Sequence, residues 1–201
     1  MVSADDGRRQ RRERNREAVV QAALELVREG ELAPGAEAVA ARAGLSARSV
    51  FRYFDDLDDL CRAAIAHQLA LVGPILGREL PHEGSLTDRV TAVVAQRASL
   101  FETMGPIGTF ARLRAPFQPL IAEQLATGRR LLRDRLRATL APELAELAAE
   151  DADTLVAAAD VMCSFEAFRL LRDDHDRSTE GVVTVMIAGV RGLLAAAGVP
   201  A

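Results

Sequence analysis

Seven consecutive residues, Ala47-Arg48-Ser49-Val50-Phe51-Arg52-Tyr53, bring two guanidinium groups, a hydroxyl, a phenol and an aromatic ring within two helical turns. Arg48 and Arg52 stand four apart and so share one face of a helix. A guanidinium can donate two parallel hydrogen bonds to guanine O6 and N7, or it can bind a phosphate. Ser49 is a short hydrogen-bonder that tolerates different partners, Tyr53 can donate its hydroxyl to phosphate, and Ala47 can lie against a thymine methyl. Phe51 offers apolar contact only. A helix this short is about 12 Å long, comparable with the major-groove width of about 12 Å.

The surrounding residues can hold such a helix against a second one. Between Ala36 and Leu60 the chain reads AEAVAARAGLSARSVFRYFDDLDDL. Ala40 and Ala43 are small enough for a close helix contact, and Gly44 can take the left-handed conformation that ends the first short helix. Ser46 is a natural N-cap for the second helix and a further candidate for DNA contact. Val50 and Phe54, four apart, are expected inward with Leu45 plugging the turn. Ala47, Arg48, Ser49, Phe51, Arg52 and Tyr53 are expected largely outside. Ala-Gly-Leu-Ser alone would suit any helical hairpin; the complete spacing marks a helix-turn-helix.

Upstream lies a basic cluster of Arg8, Arg9, Arg11, Arg12, Arg14 and Arg16, broken only by Gln10, Glu13 and Asn15. Short charge runs are usually solvated tails. This one directly precedes the helix that would brace the reading helix, so it can reach phosphates or an adjacent minor groove. Met1 to Gly7 are expected to be disordered.

From Arg14 to Ile65 the chain resembles the N-terminal domain of the TetR family of bacterial transcriptional regulators. VVQAALELV, VAARAGLS, SVFRYF and the acidic LDDL carry the resemblance in the family's order and spacing. It implies a homodimeric regulator on an inverted-repeat operator of double-stranded DNA, most often a repressor released by a small-molecule effector. It also implies a four-helix interface built from the last two helices of each subunit. Three departures stand out: Phe51 where Tyr is frequent, Pro34-Gly35 before the first short helix where Ser or Thr is common, and Leu57 where a Lys often opens the next helix. The last two remove phosphate donors. Glu37 and the acids of Asp55 to Asp59 would repel a DNA backbone they faced, so the arginine arm should carry much of the nonspecific attraction.

The whole chain has 201 residues, 49% hydrophobic, with a formal net charge of −4. That length suits one compact body or a small domain attached to a larger one. Any affinity for nucleic acid must come from local charge. All 25 basic residues are Arg. Cys61 and Cys163 are far apart and read as reduced, buried thiols. The charged N-terminus has no apolar signal core, and no membrane-length apolar run is free of charge. A cytoplasmic protein without a membrane partner is expected.

Apolar spacing predicts helices throughout and no strand. The first carries Ala18, Val20, Ala23, Leu24, Leu26 and Val27 and ends near Gly30. Another starts near Leu57, capped by Asp56, and should bend or break at Gly73-Pro74. Others cover Thr87 to Met104, a short stretch around Ile107 to Leu113, Pro119 to Leu140, Ala152 to Arg172, and Thr179 to Ala197. The expected fold is all-α. A three-helix DNA-binding domain with the helix-turn-helix and arginine arm occupies residues 1–60, and a helical ligand-binding and dimerisation domain occupies 61–201.

The last two helices are apolar on more than one side, which calls for two partners. Leu155, Phe168, Val182, Met186, Gly189, Val190 and Leu193 are the candidates for a dimer interface. Leu100, Phe101, Met104, Ile107, Phe110, Leu113, Phe117, Met162 and Phe165 gather around helix breaks and could line an effector pocket, although a continuous core would use the same residues. Arg97, Arg112 and Arg114 could add polar contacts there.

No catalytic site is recognised. His67, His82 and His175 are scattered without metal spacing, and there is neither a nucleophile elbow nor a phosphate-binding glycine loop. No metal, cofactor or enzymatic activity is expected. The competing reading is an all-α interaction module that dimerises through its C-terminal helices without a ligand; a third is an enzyme on a helical scaffold.

Overall fold

A computed structural model describes residues 4–199. Among them run ten helices: α1 (Ala4–Arg28), α2 (Ala36–Arg42), α3 (Ala47–Tyr53), α4 (Leu57–Leu76), α5 (Leu86–Arg114), α6 (Pro119–Thr139), α7 (Ala141–Leu144), α8 (Ala149–Met162), α9 (Phe165–Asp173) and α10 (Thr179–Ala196). A 3₁₀ turn, Ala115–Phe117, joins α5 to α6, and the described residues include no strand. They form two compact units, one of Met1–Leu71 with Gly105–Glu123 and the other of Val72–Met104 with Gln124–Ala201. Both α4 and α5 begin in one unit and end in the other.

The first unit closes around Val19, Val20 and Leu24 of α1, Val39 and Ala40 of α2, Val50 and Phe54 at α3, and Leu60 of α4. Val50 and Phe54 are each 1 % exposed, so each contributes about 1.5–3 kcal/mol by leaving water. Between α2 and α3 the chain reverses at Gly44, whose φ of 67° is open to glycine at no steric cost. The Leu45 N–H donates to Ala40 O at 2.9 Å, sealing the end of α2. Ser46 Oγ accepts from the Ser49 N–H at 3.2 Å and caps α3. Likewise Asp56 Oδ1 accepts from the Asp59 N–H at 2.7 Å and starts α4. These devices lie where the local spacing placed them.

Three helix limits differ from expectation. α1 begins at Ala4, so Asp5 to Gly7 are helical rather than disordered, while Met1 to Ser3 lie outside the described residues. α4 runs through Pro74 to Leu76 instead of breaking at Gly73-Pro74. Pro74 stands in the last turn, where the missing N–H removes a bond that fraying would weaken anyway. The single helix expected over Ala152 to Arg172 is two, because Ser164 Oγ accepts from the Ala167 N–H at 3.1 Å and caps α9 afresh. The predicted interruption of α5 does occur: Gly105 adopts φ 43° and ψ −131°, outside the helical range.

In the second unit the core gathers Val90, Val94 and Phe101 of α5, Leu136 of α6, Leu155 and Val156 of α8, Phe165 and Phe168 of α9, and Val182, Met186, Val190 and Leu194 of α10. The four α10 residues repeat every four positions and face this core, while only 22 % of the helix's residues are buried. α8 and α10 cross closely. A Cβ on Gly189 would stand 2.3 Å from Met162 Cε, so glycine makes room for that side chain.

Two cations, Arg97 and Arg89, are buried in this unit. Arg97 is 2 % exposed, and its guanidinium donates to Cys163 O at 3.1 Å and Leu132 O at 2.7 Å and pairs with Asp160 Oδ1 at 2.8 Å. Cys163 is the C-cap of α8, so the positive charge meets the negative end of that helix and satisfies a carbonyl exposed by the break. Burial of the neighbouring Cys163 thiol pushes its pKa up to about 11. Cys61 is half-buried, and both cysteines are free. Arg89 of α5 forms a second inward ion pair, with Glu143 of α7.

Candidate nucleic-acid interface

The outward side of α3 is narrower than the sequence suggests. Arg48, Phe51 and Arg52 are exposed, and Phe51 keeps 52 % of its surface in water. Ala47 is half-buried and packs against the core of its own unit. Ser46 and Ser49 bond to each other through their hydroxyls at 2.9 Å. Tyr53, expected outside, is 9 % exposed and belongs to the core. The last turn of α3 tilts its ring inward beside Phe54, and only its hydroxyl keeps polar company.

That hydroxyl accepts from Asn15 Nδ2 at 2.9 Å and from Arg52 Nη2 at 2.8 Å. The Arg52 guanidinium also stands 5.0 Å from the centre of the Tyr53 ring. Donation from Asn15, then from Arg52, holds the phenol below its usual pKa of 10. With two donors on its oxygen, the remaining capacity of the phenol is to donate its own proton. Arg52 is thereby oriented, whereas Arg48 has no partner among the described residues.

The arginine arm is the solvent-exposed start of α1. Asp6 to Arg14 are all exposed, and the first buried residue is Val19. Arg8, Arg11, Arg12 and Asn15 follow the i, i+3, i+4, i+7 spacing of one helical face. Because Asn15 reaches Tyr53, this face lies on the α3 side of the helix. Arg16, one step around, sits 4.8 Å over the Phe54 ring. Arg9, seven residues before Arg16, shares its side. Asn15 was read in the sequence only as an interruption of the basic cluster; the available signal was its place, as the one uncharged polar residue, on the Arg8, Arg11 and Arg12 face.

The acids after α3 are partly occupied. Asp56 and Asp59 cap the start of α4, with Asp59 Oδ2 accepting from the Asp55 N–H at 3.3 Å, and Asp58 accepts from Gln118 at 3.2 Å. Gly35 caps α2 without a side-chain bond, as its lack of a side chain requires. His67 packs between α1 and α4, 3.2 Å from Glu17 and 3.0 Å from Gln21.

No family profile matches the chain, and no curated protein matches it. Solved structures do. A transcriptional regulator from Rhodococcus sp. Rha1 superposes with a TM-score of 0.69 at 20% identity, over 92% of this chain and 99% of that one. A protein assigned to the TetR family of transcriptional regulators, from Rhodococcus sp., superposes with a TM-score of 0.63 at 17% identity, over 90% and 99%. The chain has a TetR-type fold.

Within this TetR-type fold the nine pocket candidates do not share one unit. Leu100, Phe101, Met104, Met162 and Phe165 belong to the second unit, where Phe101 meets Phe165 edge-on at 5.6 Å and Phe168 at 5.8 Å. Ile107 packs on the core of the first unit, Phe110 is half-buried there, and Leu113 and Phe117 are 52 % and 76 % exposed. Of the polar candidates, Arg97 is the core cation described above, and Arg112 donates to Gly108 O at 3.1 Å. An open pocket of about 410 Å³ beside α7 uses none of these residues and is crossed by the Arg137–Asp153 ion pair.

The dimer candidates divide as well. Leu155, Phe168, Val182, Met186 and Val190 are at most 5 % exposed, enclosed by the chain's own core, while Gly189 and Leu193 are half-buried. The surface of α8 and α10 left uncovered is different: Ala157 and Val161 on the first, and Thr184, Ala188, Arg191, Gly192 and Ala195 on the second. Val161 is 68 % exposed.

Proposed function

We propose that this chain is a sequence-specific DNA-binding transcriptional regulator that acts as a homodimer, most simply a cytoplasmic repressor released by a small-molecule effector. One observation carries the DNA reading. α3 is capped and packed from behind, and the same hydrogen bond that anchors Tyr53 sets the arginine face of α1 beside it. Residues 1–60 then hold the DNA contacts: Arg8, Arg9, Arg11 and Arg12 on phosphates, with Ser46, Arg48, Phe51 and Arg52 toward the groove and Ala47, Ser49 and Tyr53 holding them from behind. Residues 61–201 provide dimerisation and effector binding.

The dimer is supported by the uncovered side of α8 and α10. Val161 of α8, 68 % exposed, and the exposed Ala188, Gly192 and Ala195 of α10 form a small apolar strip left without cover by the chain itself. A second copy can cover it symmetrically, helix pair against helix pair. Small residues at Ala157, Ala188, Gly192 and Ala195 would let those backbones approach. The effector proposal rests on Leu100, Phe101, Met104, Met162 and Phe165, an apolar group adjoining the Gly105 interruption of α5.

Selection of bound duplexes from a random pool, with sedimentation of the protein alone and with the selected DNA, tests this function. The expected result is an inverted repeat whose half-sites lie about 34–36 Å, or a multiple, apart, bound by two copies. Recovery of no preferred sequence, with dimers still present, would favour an interaction module. Ligand release is tested separately, by screening small molecules against the protein–DNA complex.

A further inference from the structure

The way α3 uses its side chains leaves few groups to read bases. Tyr53 is buried, Arg52 is tied to the Tyr53 hydroxyl, Ser49 is tied to Ser46, and Ala47 is turned toward the core. Arg48 and Phe51 remain, both exposed and three residues apart on one face. With 52 % of its surface in water on the same face as Arg48, the Phe51 ring is free to cover an apolar group of whatever lies against that face.

The major groove restricts what that partner can be. Base edges there present hydrogen-bond donors and acceptors, and the apolar group among them is the C5 methyl of thymine. Guanine alone offers the paired acceptors, O6 and N7, that a guanidinium fork matches. Three helical residues advance about 4.5 Å and one base pair about 3.4 Å, so Arg48 and Phe51 can address neighbouring base pairs.

We infer that each half-site is read as a guanine beside a thymine, Arg48 taking the guanine edge and Phe51 covering the thymine methyl. This rests on the DNA-binding function proposed above and deepens it, making Phe51 a specificity determinant. The departure from the tyrosine expected at this position has a chemical consequence: a phenol there would keep a donor for phosphate, whereas phenylalanine can discriminate only by the methyl.

The test uses the full-length protein and the duplexes it selects. Each thymine of the half-site is replaced in turn by deoxyuridine, which removes only the methyl, and each guanine by 7-deazaguanine, which removes N7. One thymine per half-site should show about a fourfold loss of affinity, the worth of one buried methyl. Phe51→Ala should bind the thymine and uracil duplexes equally. The 7-deazaguanine loss at a neighbouring base pair should be absent in Arg48→Ala. Both residues are exposed, so these variants should keep the wild-type circular dichroism and melting temperature. Selected duplexes bound without methyl sensitivity at any position, or full sensitivity retained in Phe51→Ala, would overturn the inference while leaving sequence-specific binding intact. If no duplex is preferred, the DNA-binding proposal itself falls, and the inference with it.

Discussion

Asn15 of α1 and Tyr53 of α3, thirty-eight positions apart in sequence, are joined by a 2.9 Å hydrogen bond from Nδ2 to the phenol oxygen. Through this bond the helix that carries the arginine face is registered against the helix that carries Arg48 and Phe51. A second bond to the same oxygen, from Arg52, makes the phenol a junction of three side chains.

Tyr53 is the one tyrosine in a chain without tryptophan, so phenolate absorbance reports on it alone. Its titration midpoint should lie below 10 and move up in Asn15→Ala, which removes the largest cause of the lowering. A folded pKa below the unfolded one means that the unfolded chain holds the proton longer. The associated stability is therefore absent well below the folded pKa, appears as pH rises through it, and is fully present above the unfolded value near 10. A midpoint indistinguishable from free tyrosine would show that the junction does not persist in solution.

Arg8, Arg11 and Arg12 share the face that Asn15 turns toward α3. Replacing all three by Ala should weaken specific and nonspecific DNA binding together. The log–log salt slope should fall by about 0.9 for each phosphate the arm no longer neutralises. An unchanged slope in electrophoretic or fluorescence titrations would leave the arm as a solvated helix end.

Arg97 clamps the C-terminal end of α8 to α5 and α6 inside the second unit. Arg97→Ala leaves Asp160 and two carbonyls without their donor, and should cost about 3–5 kcal/mol in urea unfolding. A loss below about 1 kcal/mol, within the range of surface pairs, would mean that water replaces the clamp.

Gly189 and Gly192 lie on one helix, and an added methyl meets different surroundings at each. At Gly189 it must displace Met162 Cε, the far end of a flexible side chain, so the Ala variant should gain less stability than that of Gly192, where nothing stands within 4 Å and up to about 1 kcal/mol of helix propensity is available. Thermal melts of the two variants check the contrast. Gly192→Arg, on the uncovered face, should in addition shift sedimentation toward the monomer.

Much of the helix-turn-helix was legible because its determinants are local. Gly44, the Ser46 cap and the four-residue step from Val50 to Phe54 act within one or two turns, where backbone sterics and capping bonds leave few alternatives. The same holds for Asp56 at the start of α4 and for the interruption at Gly105. The Cys163–Ser164 break was not legible: an apolar stretch containing one serine can continue as a helix. Its position is fixed by the Ser164 cap and by Arg97, sixty-six residues before Cys163.

By itself, then, the sequence determined which segments are helical, where the short helices turn, and which residue types meet on α3. Tertiary structure decided which side of each helix faces its own core. Periodicity shows that α10 is apolar on two sides, but Val182, Met186 and Val190 are enclosed while Ala188 and Gly192 are left outside because α8 and Met162 occupy one of those sides. Tyr53 moved inward for the same reason, since α1 supplies both the wall for its ring and the amide for its hydroxyl. A helix's spacing fixes its stripes; only the packing of distant segments selects the stripe that is buried.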